Sequence, residues 1–390
     1  MTSKSFRHPD ALRADFSNAL SEMYRAEVPA YDTLIDIVAE INTEHASSGD
    51  SRIHSGGERH GAIRLGTPEE LNLIGRVFAV LGLHPVGYYD LSVAGLPVHS
   101  TAFRPITSEG FAASPFRMFT SLLRLDMLPD ALRKRAESAL ASRDIFSGTG
   151  RALLNKAEKQ GGLNTTDGAA FVREAVAIFA WRPRAHVNFA TYRTLLSEHP
   201  LIADIVSFQG PHMNHLTPRV ADIDAAHARM KARGMDVKAT IEGPPRRNVP
   251  ILLRQTAFKA LTEAVEFADA AGWTVAQHTA RFGEIEQRGV ALTEKGRALY
   301  DQCLAAKDFD AFPDDHISLR EQGLSYYDSS GEPLTYEDFL PVSAAGIFKS
   351  NLGETTEDTP LTASGNQAVF ESALGRRVLD MFDLYTSSAG

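Results

Sequence analysis

The chain has little of what marks secreted, membrane-spanning or nucleic-acid-binding proteins. Its 390 residues include one cysteine, Cys303, which excludes an internal disulfide framework and fits a reducing compartment. No run of about 18 apolar residues occurs, so no membrane span is expected. The N-terminal segment lacks the apolar region of a secretory signal. A net charge of -9 argues against a nucleic-acid partner, which would require a basic surface. These absences predict a cytoplasmic protein.

Several common catalytic and nucleotide-binding motifs are absent as well. No GxGxxG follows a predicted strand and no GxxxxGK[ST] occurs, so a nucleotide-phosphate loop is not supported. The GxSxG motif of many serine hydrolases is also missing. What remains is an ordinary globular composition, with 43% hydrophobic and 23% charged residues. The length suggests two or three structural units.

A strand–helix unit occurs twice in the sequence. ERHGAIRLGT predicts a strand, and the following helix has Thr67 as N-cap, Glu70 completing a capping box and Gly82 as its end. HMNHLTPRV predicts a second strand, followed by a helix with Asp222 as N-cap and Gly234 as its end. Such repetition indicates two modules that bury their apolar faces together. The shared spacing, at offsets 0, 4 and 7, is that of His60, Arg64 and Thr67 in one copy and His215, Arg219 and Asp222 in the other.

The remaining chain predicts mainly helices around further strands. Helical periodicity covers residues 11–45, 129–200 and 292–309, and a last helix is predicted near residues 373–385. Strand patterns cover residues 84–93, 98–106, 249–261 and 274–289. The middle helical stretch therefore indicates an insertion between the two repeated units.

The repeated spacing predicts a metal site. His60 and Arg64 are four residues apart in a predicted strand, so both side chains point to one face. The same holds for His215 and Arg219. If the two units pack about a pseudo-twofold axis, the two histidines converge. Glu284 and Glu286 share a face of another predicted strand, and either could complete the site. Two imidazoles and one carboxylate leave open positions on a divalent ion, as non-haem Fe(II) oxygenases require.

Spacing alone leaves alternatives open, because a chain with 13 histidines places several of them without a ligand role. His212 competes with His215, and in a regular strand the two face opposite sides. Other histidines are expected to be solvated or hydrogen-bonded, namely His54, His84, His99, His227 and His278. An inward-facing guanidinium at Arg64 is costly unless it meets an anion, which a substrate carboxylate would supply. Arg219 is the weaker case because Pro218 precedes it.

Four segments, ERHGAIRLGT, NHLTPRVADID, RFGEIEQRG and YEDFLPVSAAGIF, resemble the bacterial 2-oxoadipate dioxygenase/decarboxylase (2-hydroxyglutarate synthase) family. That family is similar to the vicinal oxygen chelate superfamily. The resemblance implies an α+β fold in which paired βαβββ modules form a half-open barrel with helical insertions. It divides the chain into N-terminal helices and a first module (1-115), a remaining strand and helical insertion (116-200), a second module (201-292) and a C-terminal helix with a pocket-lining loop (293-390).

The resemblance also implies the site residues. FGEIEQRG is similar to the last metal-bearing strand of 4-hydroxyphenylpyruvate dioxygenase, which selects Glu284 rather than Glu286. The implied metal ligands are His60, His215 and Glu284. Arg64 is implied as the catalytic, substrate-gripping arginine. Val342 and Ser343 are implied to line the substrate pocket.

The function implied by the resemblance is an Fe(II)-dependent oxygenase. It would convert 2-oxoadipate and O2 to 2-hydroxyglutarate and CO2 in lysine breakdown. One alternative is a glyoxalase-like or hydrolytic metalloenzyme that uses Zn or Ni on the same scaffold. Another is a protein that binds a small acid without turning it over. The sequence gives neither the oligomeric state nor the exact chain length of the 2-oxo acid.

Overall fold

The computed structural model describes residues 6–46, 58–270, 272–340 and 366–389. Within these ranges the strands are β1 (Glu58–Leu65), β2 (His84–Asp90), β3 (Val98–Arg104), β4 (Arg117–Leu123), β5 (His215–Pro218), β6 (Leu253–Ala257), β7 (Thr262–Asp269), β8 (Gly272–Thr279) and β9 (Phe282–Arg288). The α-helices are α1 (Pro9–Glu27), α2 (Pro29–Ala46), α3 (Pro68–Val80), α4 (Ser108–Ala113), α5 (Asp130–Ala141), α6 (Gly148–Gln160), α7 (Thr165–Ala177), α8 (Phe189–Glu198), α9 (Pro200–Ser207), α10 (Ile223–Ala232), α11 (Glu294–Ala306), α12 (His316–Glu321), α13 (Gln367–Leu374) and α14 (Met381–Ala389).

A curled seven-stranded sheet holds the two repeated units side by side. Its order is β2-β3-β4-β1-β5-β9-β6, with β1 and β5 antiparallel at the centre. β1 lies parallel to β4, and β5 lies parallel to β9. Each unit thus begins with a central strand, continues into a helix and returns its last strand beside the first. The α+β half-open barrel with paired modules is confirmed. In the second unit, β7 and β8 form a separate two-stranded sheet instead of extending the main one.

Alternation along the strands gives the sheet two faces with different roles. Ile63 and Leu65 of β1 belong to an apolar cluster formed with α1, α2 and α3. Ala62 points the other way and packs in a second cluster with α9 and the residues near Phe339. The face that carries Ala62 is called the concave face below. A polar side chain on that face is held between two packed layers, which fixes its position.

The predicted helix ends of the two units are confirmed. The Thr67 side chain accepts a hydrogen bond from the Glu70 backbone, and the Asp222 side chain accepts one from the Ala225 backbone. Gly82 and Gly234 have φ of 68° and 74°, a left-handed conformation that glycine adopts without strain.

Two element predictions were wrong in part, and one strand was missed. The strand predicted over residues 212–220 spans only His215–Pro218. The single helix predicted near residues 373–385 is interrupted, because α13 ends at Gly375 and Leu379 pairs with Val86 of β2 before α14 begins. β7 was not predicted at all. The proposed domain boundaries stay a prediction.

No helix within the described part of the chain is long and apolar enough to cross a membrane.

Candidate metal centre

His60, His215 and Glu284 come together on the concave face. They lie on the neighbouring strands β1, β5 and β9, and each is at most 5% exposed. Their nearest candidate ligand atoms all lie within 4.8 Å of one another. His60 Nε2 lies 3.0 Å from Glu284 Oε1, and the two imidazole centroids are 5.4 Å apart. Register explains this convergence, since His60 is paired with Thr217 and Ala62 with His215.

Two atoms of this cluster have no hydrogen-bond partner among the described residues, although they are buried. They are Nδ1 of His215 and Oε2 of Glu284. The other carboxylate oxygen of Glu284 accepts hydrogen bonds from Gln255 Nε2 at 2.6 Å and Thr217 Oγ1 at 3.2 Å. Buried polar atoms without partners are costly, and a divalent cation would satisfy both. Two nitrogen donors and one oxygen donor suit iron and other first-row transition metals.

Glu286 supports the centre from behind His60. Its Oε2 lies 2.8 Å from His60 Nδ1. Arg288 donates to both oxygens of the same carboxylate, at 2.5 and 2.9 Å. A carboxylate on the outer nitrogen of a ligating histidine fixes its ring and tautomer. Both glutamates left open by spacing therefore face the cluster, one at the ligand position and one behind the imidazole.

Burial and the contacts among these three side chains together shift their pKa values. It lowers the pKa of His215 to about 3, so this ring is neutral at pH 7 and keeps a lone pair for a metal. Burial also opposes the charged form of His60, but hydrogen bonds with Glu284 and Glu286 outweigh it and raise the pKa of His60. The pKa of Glu284 is lowered despite burial, because His215 and His60 outweigh that penalty. A metal on Nε2 of His60 would favour the neutral ring and so oppose this shift in pKa.

The two units differ at one strand position beside the candidate metal centre. Register pairs His60 with Arg117 of β4 and His215 with Phe282 of β9. Two residues further along, Glu284 in β9 therefore corresponds to Phe119 in β4. Phe119 packs against Phe339, with ring centroids 5.0 Å apart, and Phe339 also packs against His60 at 4.9 Å. An apolar wall replaces a fourth ligand, which leaves coordination positions for small molecules.

Arg64 lies on the same face, but its nearest ion-pair partner is Asp204 of α9. Arg64 Nη1 donates to Asp204 Oδ2 at 2.5 Å. Three more donors surround this carboxylate, namely His212 Nε2 at 3.1 Å, His278 Nε2 at 2.9 Å and Asn214 Nδ2 at 3.3 Å. Asp204 and these four partners are called the Asp204 network below. Desolvation opposes ionisation of Asp204, but His212 and Arg64 outweigh it and hold its pKa well below the usual range.

The structure separates the two competing histidines. His212 lies before β5 and binds Asp204, whereas His215 faces Glu284. His278, expected to be hydrogen-bonded, is buried in the same network. Val342 and Ser343 lie outside the described residues. Sequence reasoning missed Asp204, although an acid inside the apolar segment PLIADIVS is itself a signal, because buried carboxylates are rare unless they are paired.

Comparison with known proteins agrees with this description. The fold and the three-residue cluster define a half-open barrel protein of paired modules. A protein of Ralstonia eutropha assigned to the glyoxalase superfamily has a similar fold, with a TM-score of 0.50 at 22% identity over 71% of this chain and 84% of that chain. More specifically, residues 16–351 match the family described as 2-oxoadipate dioxygenase/decarboxylase. The chain belongs to this enzyme family.

Individual relatives are similar over nearly their whole length. A 2-oxoadipate dioxygenase/decarboxylase of Escherichia coli K12 is 48% identical, over 96% of this chain and 95% of that protein. The crystal structure of the hydroxyglutarate synthase of Pseudomonas putida in complex with 2-oxoadipate has a TM-score of 0.89 at 44% identity. It covers 99% of this chain and 97% of that chain. The family predicted from the sequence is confirmed.

Proposed function

We propose that this protein is an Fe(II)-dependent dioxygenase that converts 2-oxoadipate and O2 to 2-hydroxyglutarate and CO2. The observation that carries the proposal is the buried cluster of His60, His215 and Glu284, whose ligand atoms lie within 4.8 Å of one another. Family membership and the 2-oxoadipate bound by the Pseudomonas putida relative support the substrate. The equation balances, since both atoms of O2 remain in the two products.

His60, His215 and Glu284 would hold the iron. When bound, the metal supplies Lewis acidity and electrons for the reaction with O2. Glu286 keeps the His60 ring in one orientation through its 2.8 Å contact with Nδ1. Phe119 and Phe339 exclude water from one side of the centre.

Arg64 would pair with a carboxylate of the substrate. Its contact with Asp204 fixes the direction of the guanidinium before the substrate arrives. We propose that Val342 and Ser343 complete the pocket, with Val342 packing on the substrate methylenes and Ser343 donating a hydrogen bond. Cytoplasmic location and a role in lysine breakdown are part of the same proposal.

The test is turnover by protein reconstituted with Fe(II). Oxygen uptake, CO2 release and formation of 2-hydroxyglutarate on addition of 2-oxoadipate should agree in stoichiometry. A Zn- or Ni-dependent hydrolase or glyoxalase would consume no O2, and a binding protein would form no product. Either result would refute the proposal.

Two variants connect this activity with the cluster. His215→Ala should abolish turnover and reduce bound iron well below one ion per chain, as measured by elemental analysis. His84→Gln is the matched control, because His84 begins β2 at the edge of the sheet and contacts none of the three ligands. Iron content and full activity retained by His215→Ala would show that the metal binds elsewhere.

A further inference from the structure

The two oxygens of the Glu284 carboxylate are in opposite situations. Oε1 accepts hydrogen bonds from Gln255 Nε2 at 2.6 Å and from Thr217 Oγ1 at 3.2 Å. A carboxylate oxygen has two lone pairs, so these two donors engage both of those on Oε1. Oε2 is buried and has no hydrogen-bond partner among the described residues. Only Oε2 therefore keeps its lone pairs for an ion.

The sheet fixes both donors. Thr217 is paired with His60 across β1 and β5, so its hydroxyl lies on the concave face. Gln255 is paired with Glu286 across β6 and β9, and this pair lies on the same face. The backbone of Gln255 also exchanges hydrogen bonds of 2.9 and 2.8 Å with Glu242 on its other side. Both donor residues are at most 2% exposed, so neither can turn toward solvent.

The hydroxyl of Thr217 has one proton and two possible acceptors. Its Oγ1 lies 3.2 Å from Glu284 Oε1 and 3.2 Å from His60 Nε2. If His60 ligates an ion through Nε2, the lone pair of that nitrogen is used, and the hydroxyl can donate only to Glu284. Nor can this nitrogen then donate to Oε1, which lies 3.0 Å away. Binding of an ion would therefore leave Gln255 and Thr217 as the donors to Oε1.

The first unit lacks the whole arrangement. By strand register, each of the three side chains has a counterpart there, and none of the counterparts directs a donor at a carboxylate. In the order Glu284, Gln255 and Thr217, the counterparts are Phe119, Ser100 and Ala62. Ser100 shares a hydrogen bond of 2.8 Å with Ser121 instead. The two donors thus occur in the unit that has the carboxylate, which connects them with Glu284 and not with the sheet in general.

We propose that Gln255 and Thr217 are positioning residues that restrict Glu284 to coordinating the metal ion through one oxygen. The inference rests on the proposed function for the ion at the centre, and not for the reaction. A carboxylate can ligate an ion through one oxygen or through two. With the lone pairs of Oε1 engaged, the position that a second oxygen would take stays open for a small molecule. The apolar wall of Phe119 and Phe339 excludes a further side-chain ligand, so both features preserve open positions.

The experiment counts the water molecules bound to Mn(II), which replaces iron in the protein without substrate. Electron–nuclear double resonance in isotopically labelled water gives this count. Gln255→Met keeps the length of the side chain and removes the shorter hydrogen bond, so Oε1 can reach the ion and the count should fall by about one per ion. Thr217→Val removes the longer hydrogen bond and should lower the mean count by less. Thr217→Ser keeps the hydroxyl and should keep the count.

Ser100→Ala is the matched control. It removes a hydrogen bond from the same sheet, at the position of the first unit that corresponds to Gln255. Its water count should equal that of the unsubstituted protein. Circular dichroism establishes that each variant is folded, and competition with a chelator establishes that it binds Mn(II).

An unchanged count in Gln255→Met would overturn the inference, as would an equal fall in Ser100→Ala or an unsubstituted protein that binds no Mn(II). If Gln255→Met does not fold, an unchanged count in Thr217→Val would overturn it alike. Folded variants that no longer bind Mn(II) would also overturn it, because the donors would then hold the carboxylate in place without limiting it to one oxygen. If the counts change as expected but Fe(II)-loaded protein forms no product from 2-oxoadipate, the proposed function fails and the role of Gln255 and Thr217 stands.

Discussion

The two ends of the concave face place an arginine at corresponding positions but surround it in opposite ways. At one end, a single carboxylate, Asp204, receives Arg64, two histidines and one asparagine. At the other end, five arginines share three carboxylates, and this group is called the arginine cluster: Arg59, Arg104, Arg117, Arg219, Arg288, Glu286, Glu337 and Asp338. The pseudo-twofold relation of β1 and β5 fixes where the arginines lie. It does not fix their partners, because Asp204 comes from α9 and Asp338 from the chain beyond α12.

The difference indicates separate roles for the two ends. In the Asp204 network a single guanidinium faces a single carboxylate, so the contribution of the network is to fix the orientation of Arg64. The arginine cluster holds more guanidinium groups than carboxylates, so every carboxylate there is needed to balance buried positive charge.

The largest effect is expected for Asp338→Asn in the arginine cluster. This change leaves Arg104 buried without its bidentate partner and adds to the existing excess of positive charge. The free energy of unfolding should fall by about 3–5 kcal/mol. Urea denaturation measures the loss as a lower midpoint at unchanged slope. Asp236→Asn is the control, because Asp236 forms an exposed ion pair with Lys259 and such pairs contribute little. A loss no greater than that of the control would contradict an excess of positive charge in the arginine cluster.

Asp204→Asn should cost less, although Asp204 accepts more hydrogen bonds. An asparagine oxygen can still accept from His212 or His278, and the network starts without excess charge. We expect a loss of about 1–3 kcal/mol, measured by the same denaturation. Substrate affinity should also fall, since Arg64 loses the contact that fixes its direction. If Asp204→Asn proves as destabilising as Asp338→Asn, the two ends do not differ in the way proposed.

Glu286→Gln should weaken the metal centre in addition to destabilising the fold, because Arg288 also loses its carboxylate partner. Glu286 contacts His60 Nδ1, so its loss should weaken metal binding by about 10- to 100-fold. Competition with a chelator of known affinity measures this change. Glu337→Gln is the matched control, because it removes a carboxylate from the same cluster that makes no contact with His60. Equal weakening by both variants would mean that net charge, and not the hydrogen bond to His60, supports the metal.

The sequence could predict the parts of the site that depend on local structure, namely the alternation of side chains along a strand and the hydrogen bonds of helix caps. His60, His215 and Glu284 lie on strands whose side chains alternate, and the repeat places two of them at equivalent positions. Thr67 and Asp222 were predictable as N-caps because the hydrogen bonds that define a cap are local. The choice of Glu284 over Glu286 came from family resemblance, since period alone puts both on one face.

Long-range packing decided what sequence could not predict. The contact of Arg64 with Asp204 joins residues 140 positions apart, and no periodicity reports where α9 packs. The predicted last helix fails because Leu379 pairs with Val86, a tertiary contact that overrides local helix propensity. β7 was a different kind of miss. Val265 and Phe267 alternate as buried residues between polar ones, so the strand signal was present but unused.

The smallest predicted effect is that of Tyr192→Phe, which changes the tyrosine behind the Asp204 network. The ionised Asp204 can only accept, so His278 donates to it from Nε2, and a neutral ring then leaves Nδ1 as an acceptor. The Tyr192 hydroxyl lies 3.0 Å from this Nδ1 and 3.1 Å from the backbone oxygen of Gln277, so its one O–H is shared between two acceptors. Tyr192→Phe should therefore cost about 1 kcal/mol, as for one neutral hydrogen bond.

Tyr385→Phe is the counterpart of Tyr192→Phe at the other end, and it should cost more. Tyr385 donates directly to the carboxylate of Asp338 at 2.7 Å and also accepts from the Glu337 backbone. A hydrogen bond to a charged group contributes about 1.5–3 kcal/mol. Urea denaturation of the two variants gives the comparison, and nitrogen NMR shifts of His278 report its tautomer directly. Equal losses would contradict the difference between the two ends. A proton on Nδ1 of a neutral His278 ring would mean that His278 donates to the Tyr192 oxygen and that the Tyr192 hydroxyl donates to Gln277.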